Sequence, residues 1–199
     1  MNKITFNGNE VEKLPDNIIL DIQGDNHIIE LNEFIGKGKL HIRLRGNNNK
    51  IYFGKNNVIE RNLTIAGNNY NIKKCEGSCI IGDNNRFRGN FIIYVPLYID
   101  KKVQIGNNNL FAANCEIIGC IEHEVIDLET QQVLNNEQDV IIGNKNWIGR
   151  DVLFMNKSGI QDNSVVGIRS LVTKRFTESN ILIAGQPGIK RKQNIDWRL

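Results

Sequence analysis

The sequence predicts an all-β protein, a parallel β-helix built from hexapeptide repeats. Two runs of apolar residues at every sixth position are the first observation behind this prediction. The earlier run passes through Ile81, Phe87, Ile93, Ile99, Ile105, Phe111 and Ile117. The later run passes through Ile142, Ile148, Phe154, Ile160, Val166 and Val172. A period of six matches neither the 3.6-residue turn of a helix nor the alternation of a simple strand. It describes a short strand and a corner, repeated around a triangular coil of about 18 residues.

Clusters of glycine and asparagine are the second observation, and they mark the predicted corners. Both residue types tolerate the left-handed backbone angles that other residues avoid. The chain has 18 glycines, and regularly interleaved Ile, Val and Phe argue against a disordered Asn-rich segment. The clusters are Gly46-Asn47-Asn48-Asn49, Gly54-Lys55-Asn56-Asn57, Gly67-Asn68-Asn69, Gly82-Asp83-Asn84-Asn85, Gly106-Asn107-Asn108-Asn109 and Gly143-Asn144-Lys145-Asn146.

The spacing predicts one β-helix domain over residues 1–199. Irregular N-terminal coils are expected over 1–70, regular coils over 81–172, and a C-terminal segment lying along the coils over 173–199. The early region is irregular because some of its apolar residues keep the period and others slip by one. Those that keep it are Phe53, Ile59 and Ile65, and those that slip are Ile22, Ile28 and Ile35. A separate cap of ordinary strands over residues 1–50 is the alternative.

The largest break in the period lies between Ile117 and Ile142. The stretch 122–139 is polar and lacks the ladder, so it is expected to leave the prism as a protruding loop. Excursions from a rigid scaffold often carry function. The chain has three histidines, His27, His41 and His123, and only His123 sits at the root of this loop.

Composition excludes several function classes. The net charge of +3 and a pI of about 8.6 are too mild for a dedicated nucleic-acid binder. The chain shows neither a signal peptide nor the ~20 apolar residues of a membrane helix, so we expect a cytoplasmic protein without membrane insertion. The cysteines are then reduced core or surface thiols, and their spacing with histidine fits no zinc site. These cysteines are Cys75, Cys79, Cys115 and Cys120.

Three segments of the C-terminal half resemble the signature of the hexapeptide-repeat acyltransferases. They read IIGNKNWIGRDVLF, SVVGIRSLVTK and IAGQPGIK. The loop sequence HEVIDLETQQVLN is similar to the family's catalytic loop, where a His is followed by an aliphatic residue and an Asp. The resemblance covers residues 103–197 and is closest to the acetyltransferases that modify bacterial surface polysaccharides. Hexapeptide repeats alone are weak evidence for this family, but the repeats together with this loop and these motifs are strong evidence for it.

The resemblance implies a left-handed coil and a homotrimer with active sites between neighbouring prisms. It also implies acetyl-CoA as co-substrate, a carbohydrate acceptor and no metal. His123 is then the general base of one direct transfer step, since an imidazole with a pKa near 6.5 can take a proton at neutral pH. Many relatives have an Asp two residues before this His, where this chain has Ile121. Glu122, Glu124 or a backbone carbonyl could orient the imidazole instead, and Asp127 could simply brace the loop.

The same resemblance suggests residues for both substrates. Trp147 is expected beside the acetyl end of the coenzyme, with corner packing as its alternative role. Small residues let the pantetheine arm approach the backbone, and basic residues meet the phosphates. The coenzyme candidates are Trp147, Gly149, Gly167, Ser170, Lys174, Ala184, Gly185, Lys190 and Arg191. The acceptor candidates are Asn90, Asp100 and Asn114, for each of which a plain corner role is the alternative.

Three other functions fit parts of the sequence. An N-acetyltransferase acting on an amino sugar nucleotide or a small amine would use the same base. A γ-type carbonic anhydrase would need three converging histidines. A non-catalytic β-helix used for binding would need neither the histidine-bearing loop nor the IAGQP segment. The sequence does not single out an acceptor sugar.

Overall fold

A computed structural model describes residues 1–67, 75–121 and 123–198. Over these residues the chain forms strands and no helix, and the strands wind as a left-handed coil with three parallel sheets as its sides. The all-β, left-handed β-helix that the sequence predicted is therefore confirmed. No helix in this part of the chain is long and apolar enough to cross a membrane.

The strands are numbered in chain order and grouped by sheet. Sheet A contains β1 (Lys3–Phe6), β2 (Asn9–Glu10), β4 (Ile28–Leu31), β6 (Lys50–Phe53), β9 (Ser78–Ile81), β12 (Lys102–Ile105), β15 (Val140–Ile142) and β18 (Gly159–Ile160). Sheet B contains β3 (Ile18–Gln23), β5 (Lys39–Arg45), β8 (Asn62–Gly67), β11 (Phe91–Tyr94), β14 (Cys115–Ile118), β17 (Leu153–Phe154) and β20 (Leu171–Val172). Sheet C contains β7 (Val58–Ile59), β10 (Arg86–Phe87), β13 (Leu110–Phe111), β16 (Trp147–Ile148), β19 (Val165–Val166), β21 (Ile181–Ala184) and β22 (Ile189–Gln193).

The chain visits sheets B, A and C in that order in each coil. Every named strand pair is parallel except β1 with β2 and β21 with β22, which are antiparallel. These two hairpins close the two ends of the prism and fold the chain back onto its outermost strands. Strand β21 pairs with β19, so the coil continues beyond Val172, where the hexapeptide period ends.

The predicted apolar ladders form the core, with one exception. Residues of the two runs other than Ile99 are at most 2% exposed. Ile99 is 57% exposed because the connection from Ile93 to Ile105 spans two hexads and bulges out of the prism between β11 and β12. The connection is longer by one hexapeptide than the shortest link between these two sheets. The added six residues keep the period of six intact, but they place Ile99 outside the prism. The prediction for Ile99 was wrong for that reason.

Two of the three early apolar residues that slipped in register also lie outside the core, and the third, Ile22, is partly buried against it. Ile28 is 38% exposed and Ile35 is 60% exposed, whereas Ile29 and Leu31 are buried. Ile29 pairs with Ile51 and Leu31 pairs with Phe53, so the ladder continues through residues one and three positions further on. Strands β3 to β6 thus join the same parallel sheets as the later coils.

The four Gly-Asn clusters that begin at Gly54, Gly82, Gly106 and Gly143 occupy the corner between sheets A and C, here called the A–C corner. The cluster that begins at Gly46 lies between β5 and β6, at the corner between sheets B and A. The third residue of each cluster has positive φ, as predicted for a corner, for example Asn84 at 57° and Asn108 at 60°. The fourth residues, Asn57, Asn85, Asn109 and Asn146, are buried. Their side-chain oxygens accept the backbone N–H of the next coil at 2.8 to 2.9 Å. This internal ladder satisfies buried amides that apolar side chains could not. The cluster Gly67-Asn68-Asn69 lies largely outside the described residues.

Extra chain length accumulates at the corner between sheets B and A, the B–A corner. The predicted 18-residue coil is found from Val140 onward, where Trp147 lies over Val165. Earlier coils are longer. At the A–C corner, residues in equivalent positions of successive coils are joined by hydrogen bonds, and they are 28, 24 and 37 residues apart for Lys55–Asp83, Asp83–Asn107 and Asn107–Asn144. Between Phe53 and Val172 the links from sheet A to C and from sheet C to B each keep the length of one hexapeptide. Each long coil therefore has its insertion at the B–A corner.

Candidate active site

The loop that carries His123 is the longest of these insertions, spanning residues 119–139 between β14 and β15. His123 is exposed in the single chain. Its carbonyl oxygen accepts a hydrogen bond from Nδ2 of Asn135 at 2.8 Å, while Oδ1 of Asn135 accepts the Val125 N–H at 2.7 Å. Ile126 and Val133 form an antiparallel bridge further out. Residues 123–139 of the loop predicted at 122–139 thus form a hairpin that leaves the prism.

Asp127 braces the turn at the tip of this hairpin. Its Oδ1 accepts the N–H groups of Glu129 at 2.9 Å and Thr130 at 2.7 Å. Hydrogen bonding from Thr130, with a smaller effect from Glu129, lowers the pKa of the Asp127 carboxyl. These contacts fit the loop-bracing role that was one of the expectations for Asp127. Of the partners suggested for His123, Glu124 lies on the loop and Glu122 falls outside the described residues.

Glu137 fastens the root of the hairpin, and sequence reasoning missed it. It is 6% exposed. Its Oε1 accepts the Ile121 N–H at 3.0 Å, and its Oε2 accepts the N–H groups of Leu97 and Tyr98 at 2.9 Å each. No sequence signal distinguishes this glutamate from the polar residues around it. It is buried only because two insertions from successive coils meet at the B–A corner.

The hairpin stands on insertions from the preceding coils. The carbonyl oxygen of Leu97 accepts the Glu76 N–H at 2.9 Å, and that of Pro96 accepts the Gly77 N–H at 3.1 Å. Segments 75–77, 96–101 and 119–139 are therefore stacked along one edge of the prism. The irregular spacing of the earlier coils has a structural consequence, since it builds the support beneath the loop.

The other two histidines lie elsewhere. His27 is buried, and its Nδ1 accepts the Asn49 N–H at 3.3 Å. Burial lowers the pKa of His27, opposed by weaker effects from Gln23 and Asp25. His41 lies on the outer side of β5, between the buried residues Leu40 and Ile42. The described residues contain no group of three or more His, Cys, Asp or Glu side chains that could hold a metal ion.

The small coenzyme candidates come together along a different edge, the corner between sheets C and B, here called the C–B corner. Gly149 and Gly167 follow β16 and β19, and Ala184 ends β21. The Gly149 N–H donates to Val166, and the Gly167 N–H donates to Ile183, both at 2.8 Å. A Cβ at Gly149 would lie 2.7 Å from the Ile168 nitrogen, so only glycine lets these coils stack so closely.

Ser170 and Gly185 belong to the same corner. Ser170 is 2% exposed; its hydroxyl donates to the Gly167 carbonyl at 2.7 Å and accepts the Gly185 N–H at 3.2 Å. The Ser170 hydroxyl thus ties adjacent coils together. Gly185 has φ of 113° and precedes a cis Gln186–Pro187 bond. This turn sends the chain into β22.

Trp147 is 43% exposed on the outer side of sheet C. The ring of Trp197 lies 6.4 Å from it, centroid to centroid. Trp197 Nε1 donates to the Lys145 carbonyl oxygen at 2.7 Å, and Lys145 forms an ion pair with Asp196 at 2.9 Å. The C-terminal residues therefore lie beside the indole and leave much of its surface open.

The three basic candidates have different surroundings. Lys174 Nζ lies 5.3 Å from the centroid of the Phe176 ring. Lys190 forms an ion pair with Glu178 at 2.8 Å. The Nε of Arg191 donates to the Ala184 carbonyl oxygen at 3.1 Å. Arg191 is thus held against the C–B corner, whereas Lys174 precedes the last coil at the opposite side of sheet B.

The structure brings two of the three acceptor candidates together. Asn90 and Asn114 are successive residues of one column at the C–B corner, beside a cleft of about 420 Å³ that also includes Thr64 and Glu116. Burial raises the pKa of the Glu116 carboxyl. Asp100 lies instead in a cleft of about 260 Å³ between two B–A insertions, together with Tyr98, Ile121 and Glu124.

Comparison with known proteins identifies the family. No model of a known protein family matches the chain. The polysialic acid O-acetyltransferase of Neisseria meningitidis is 30% identical over 148 residues, 67% of this chain and 67% of the relative. The structure of the polysialic acid O-acetyltransferase OatWY, 26% identical, covers 92% of this chain and 88% of its own with a TM-score of 0.64. That of the polySia-specific acetyltransferase NeuO, 21% identical, covers 93% and 90% with a TM-score of 0.62 and shares the fold.

The chain belongs to the hexapeptide-repeat acyltransferase family, close to its polysaccharide O-acetyltransferases. The family prediction made from the sequence is confirmed, and the protein is an enzyme, an acyltransferase.

Proposed function

We propose that the protein is an acetyl-CoA-dependent O-acetyltransferase that acetylates a sugar hydroxyl of a bacterial surface polysaccharide, such as a capsule, or of its precursor. The observation that carries the acceptor class is the 30% identity to a polysialic acid O-acetyltransferase over 148 residues. The proposal places the enzyme in the cytoplasm as a homotrimer of single β-helix domains that binds no nucleic acid and uses no metal.

His123 is the proposed general base of a direct transfer. The imidazole takes the proton of the sugar hydroxyl as its oxygen attacks the thioester carbonyl carbon. The carbon–sulfur bond then breaks, and the departing thiolate takes the proton from the imidazolium. The products are the acetyl ester and free coenzyme A, and the histidine returns to its starting state.

The buried cysteines support a direct step over an acyl-cysteine intermediate. Burial raises the pKa of Cys75 to about 11 and that of Cys115 to about 12, and the pKa of Cys79 is raised further still. The thiolate is the nucleophilic form of cysteine, so these three thiols are unreactive near neutral pH. Cys120 is partly exposed near the loop. If it is not a nucleophile, Cys120→Ser retains activity within about twofold, because direct transfer needs no thiol.

The coenzyme is proposed to lie along the C–B corner. Gly149, Gly167, Ala184 and Gly185 offer an edge without large side chains, and Ser170 keeps the coils stacked beneath it. Trp147 would pack against the acetyl and pantetheine end. Lys190 and Arg191 would meet the phosphates from this edge, where charge-assisted hydrogen bonds are strong. Lys174, at the opposite side of sheet B, would meet the phosphates of a coenzyme bound to a neighbouring subunit.

Two features support a trimer with sites between subunits. The hairpin leaves the B–A corner, whereas the coenzyme edge is the C–B corner, so sheet B separates them within one chain. A four-residue strand such as β14 spans about 13 Å, far beyond hydrogen-bond reach. The hairpin also exposes apolar side chains: Val125 is 55% exposed, Leu128 87% and Leu134 62%. Such a patch is typical of a surface that packs against a partner.

The acceptor would approach from the hairpin side. Asp100 lies in the cleft bordered by the hairpin, and it is proposed to accept hydrogen bonds from sugar hydroxyls. Asn90 and Asn114 line the cleft at the C–B corner, where in the trimer a neighbouring hairpin would reach them.

The test is His123→Ala, with His41→Ala as a matched control because His41 lies on the outer side of β5, away from the hairpin. We expect H123A to lose roughly 10²- to 10⁴-fold in kcat while the trimer stays intact, and H41A to keep its activity. Hydroxylamine treatment of the product separates a labile ester from a stable amide. Near-normal turnover in H123A rejects the mechanism, and a stable amide rejects O-transfer in favour of an N-acetyltransferase.

A further inference from the structure

We infer that Glu137 is a positioning residue for catalysis: its buried carboxylate fixes the root of the hairpin and thereby the place of His123. The inference rests on the proposed role of His123 as general base. It assigns a function to a glutamate that neither the repeat pattern nor the family motifs mark.

The first argument is the match of hydrogen-bonding groups. An ionised carboxylate only accepts hydrogen bonds, and both Glu137 oxygens face backbone N–H donors. Oε2 holds the N–H groups of Leu97 and Tyr98, both at 2.9 Å, and Oε1 holds the N–H of Ile121 at 3.0 Å. The carboxylate therefore joins the end of one insertion to the beginning of the next.

The second argument is the cost of burying this group. Glu137 is 6% exposed, and burying a carboxylate costs several kcal/mol unless it is well hydrogen-bonded. An apolar side chain would fill the same space without that cost, but it would leave the N–H groups unpaired. The hydrogen bond that the carboxylate accepts from the Ile121 backbone explains why a charged group is buried at this position.

The third argument is the position of Ile121 relative to the base. Ile121 lies two residues before His123, and on the other side Asn135 holds the His123 carbonyl oxygen at 2.8 Å. The two anchors fix the backbone both before and at the catalytic position. Displacing a reacting group by about 1 Å can cost about 10²-fold in rate, so an anchor this close to the base controls turnover.

Glu137→Gln is the most specific variant, because it keeps the shape and changes one oxygen to a donor. The single oxygen of the new amide can face either the Leu97 and Tyr98 amides or the Ile121 amide, but not both. The other side then places an NH₂ group against an N–H group. Two donors facing each other cannot bond, so one of the two insertions is released.

Asp139→Asn is the matched control. Asp139 belongs to the same segment, and its Oδ1 accepts the N–H of Lys102 at 3.0 Å, away from Ile121. An amide oxygen can replace that single acceptor. The control therefore tests the general effect of removing a carboxylate from this part of the loop.

The experiment measures kcat, the KM for acetyl-CoA, Tm and histidine NMR on the full-length wild type, E137Q and D139N. We expect kcat of E137Q to fall roughly 10- to 100-fold, with the KM for acetyl-CoA within twofold and a Tm below that of D139N, because some buried N–H groups lose their acceptor. With ¹³C-labelled histidine, the His123 resonance should shift or broaden while those of His27 and His41 stay unchanged. A merely structural role would leave kcat per folded trimer and the His123 resonance unchanged.

The inference is overturned if kcat of E137Q stays within twofold of D139N with an unchanged His123 resonance. If E137Q does not fold, Glu137→Asp replaces it, since the shorter carboxylate stays charged but cannot span both insertions. E137D with wild-type kcat overturns the inference, and a fall in kcat with a normal Tm supports it. A normal E137Q beside an inactive H123A rejects only this inference, whereas an active H123A rejects the proposed base itself.

Discussion

The B–A and C–B corners of the prism are built from the same repeat and are used differently. Between Phe53 and Val172 every link across the C–B corner has the same length, so small residues such as Gly149 and Gly167 stack in register and leave a uniform edge. Links across the B–A corner vary from a single hexad to the 25-residue separation of Ile117 and Ile142. One corner offers a repeated backbone surface, and the other carries insertions that differ from coil to coil.

This difference suggests how such an enzyme divides its tasks. A uniform edge suits a long coenzyme arm, because successive coils present the same groups at strand spacing. Insertions suit the catalytic base and the acceptor, since loops can change without disturbing the core. Neither corner alone has the parts of an acetyl-transfer site, which is the physical reason for proposing a site shared between subunits.

The largest expected effect comes from mixing variants that damage opposite corners. His123→Ala is expected to inactivate the hairpin. Gly167→Leu is expected to block the coenzyme edge, since a Cβ added at Gly167 would lie only 3.1 Å from the Ala184 Cβ. Each variant alone should be nearly inactive. Mixed trimers of the two chains should show about a third of wild-type activity, because one of the three sites in each mixed trimer combines two intact corners.

Differently tagged chains, co-expressed and purified through both tags, provide the measurement. Gly167→Ala serves as the control for the glycine, since a methyl group leaves most of the edge open. If mixed trimers form but remain as inactive as their parents, the hairpin and the coenzyme edge of a single chain work together, and the division between subunits is wrong.

The next effect sharpens the role of the coenzyme edge. Trp147→Ala should raise the KM for acetyl-CoA about tenfold, or about 1.4 kcal/mol, through loss of ring contact. Trp197→Phe is the control, because it keeps a ring near Trp147 and removes only the Nε1 donor to the Lys145 carbonyl. An unchanged KM in W147A, with a lowered Tm, would favour the corner-packing role instead.

A third effect concerns the A–C corner, which carries stability rather than chemistry. Asn109→Ala removes an acceptor for the buried Asn146 N–H at 2.8 Å and a donor to the Gly143 carbonyl at 2.9 Å. Unpaired buried groups cost about 1–3 kcal/mol each, so denaturant unfolding should show a loss of about 2–4 kcal/mol. Asn108→Ala, at φ of 60°, should cost only about 1 kcal/mol. If N109A and N108A lose the same unfolding free energy, the internal asparagine ladder does not stabilise the protein beyond an ordinary corner residue.

The sequence predicted the regular parts of the molecule better than the insertions, for a physical reason. The period of six follows from a constant corner length, so it located most of the core from Ile81 to Val172. It could not separate Ile99 from the core, because an insertion of one hexad preserves the period. It could not find Glu137, since burial there depends on the contact between two insertions at one corner. The family motifs indicated His123 and the small residues of the C–B corner, but not that these lie on different edges of one prism.

The smallest expected effect is a pH dependence of Tm that arises from His27, which is buried at the N-terminal end of the B–A corner. Burial lowers the pKa of His27 in the folded protein, so the unfolded chain binds a proton more readily. Stability is therefore complete above the unfolded pKa of about 6.5 and declines as the pH falls below it. Protonation also removes the Nδ1 acceptor for the Asn49 N–H. The Tm should fall between pH 8 and pH 5.5, and His27→Gln should reduce that fall, whereas His41→Gln should not. If H27Q and the wild type lose Tm equally on acidification, other groups cause the dependence, and this end of the corner does not respond to pH through its histidine.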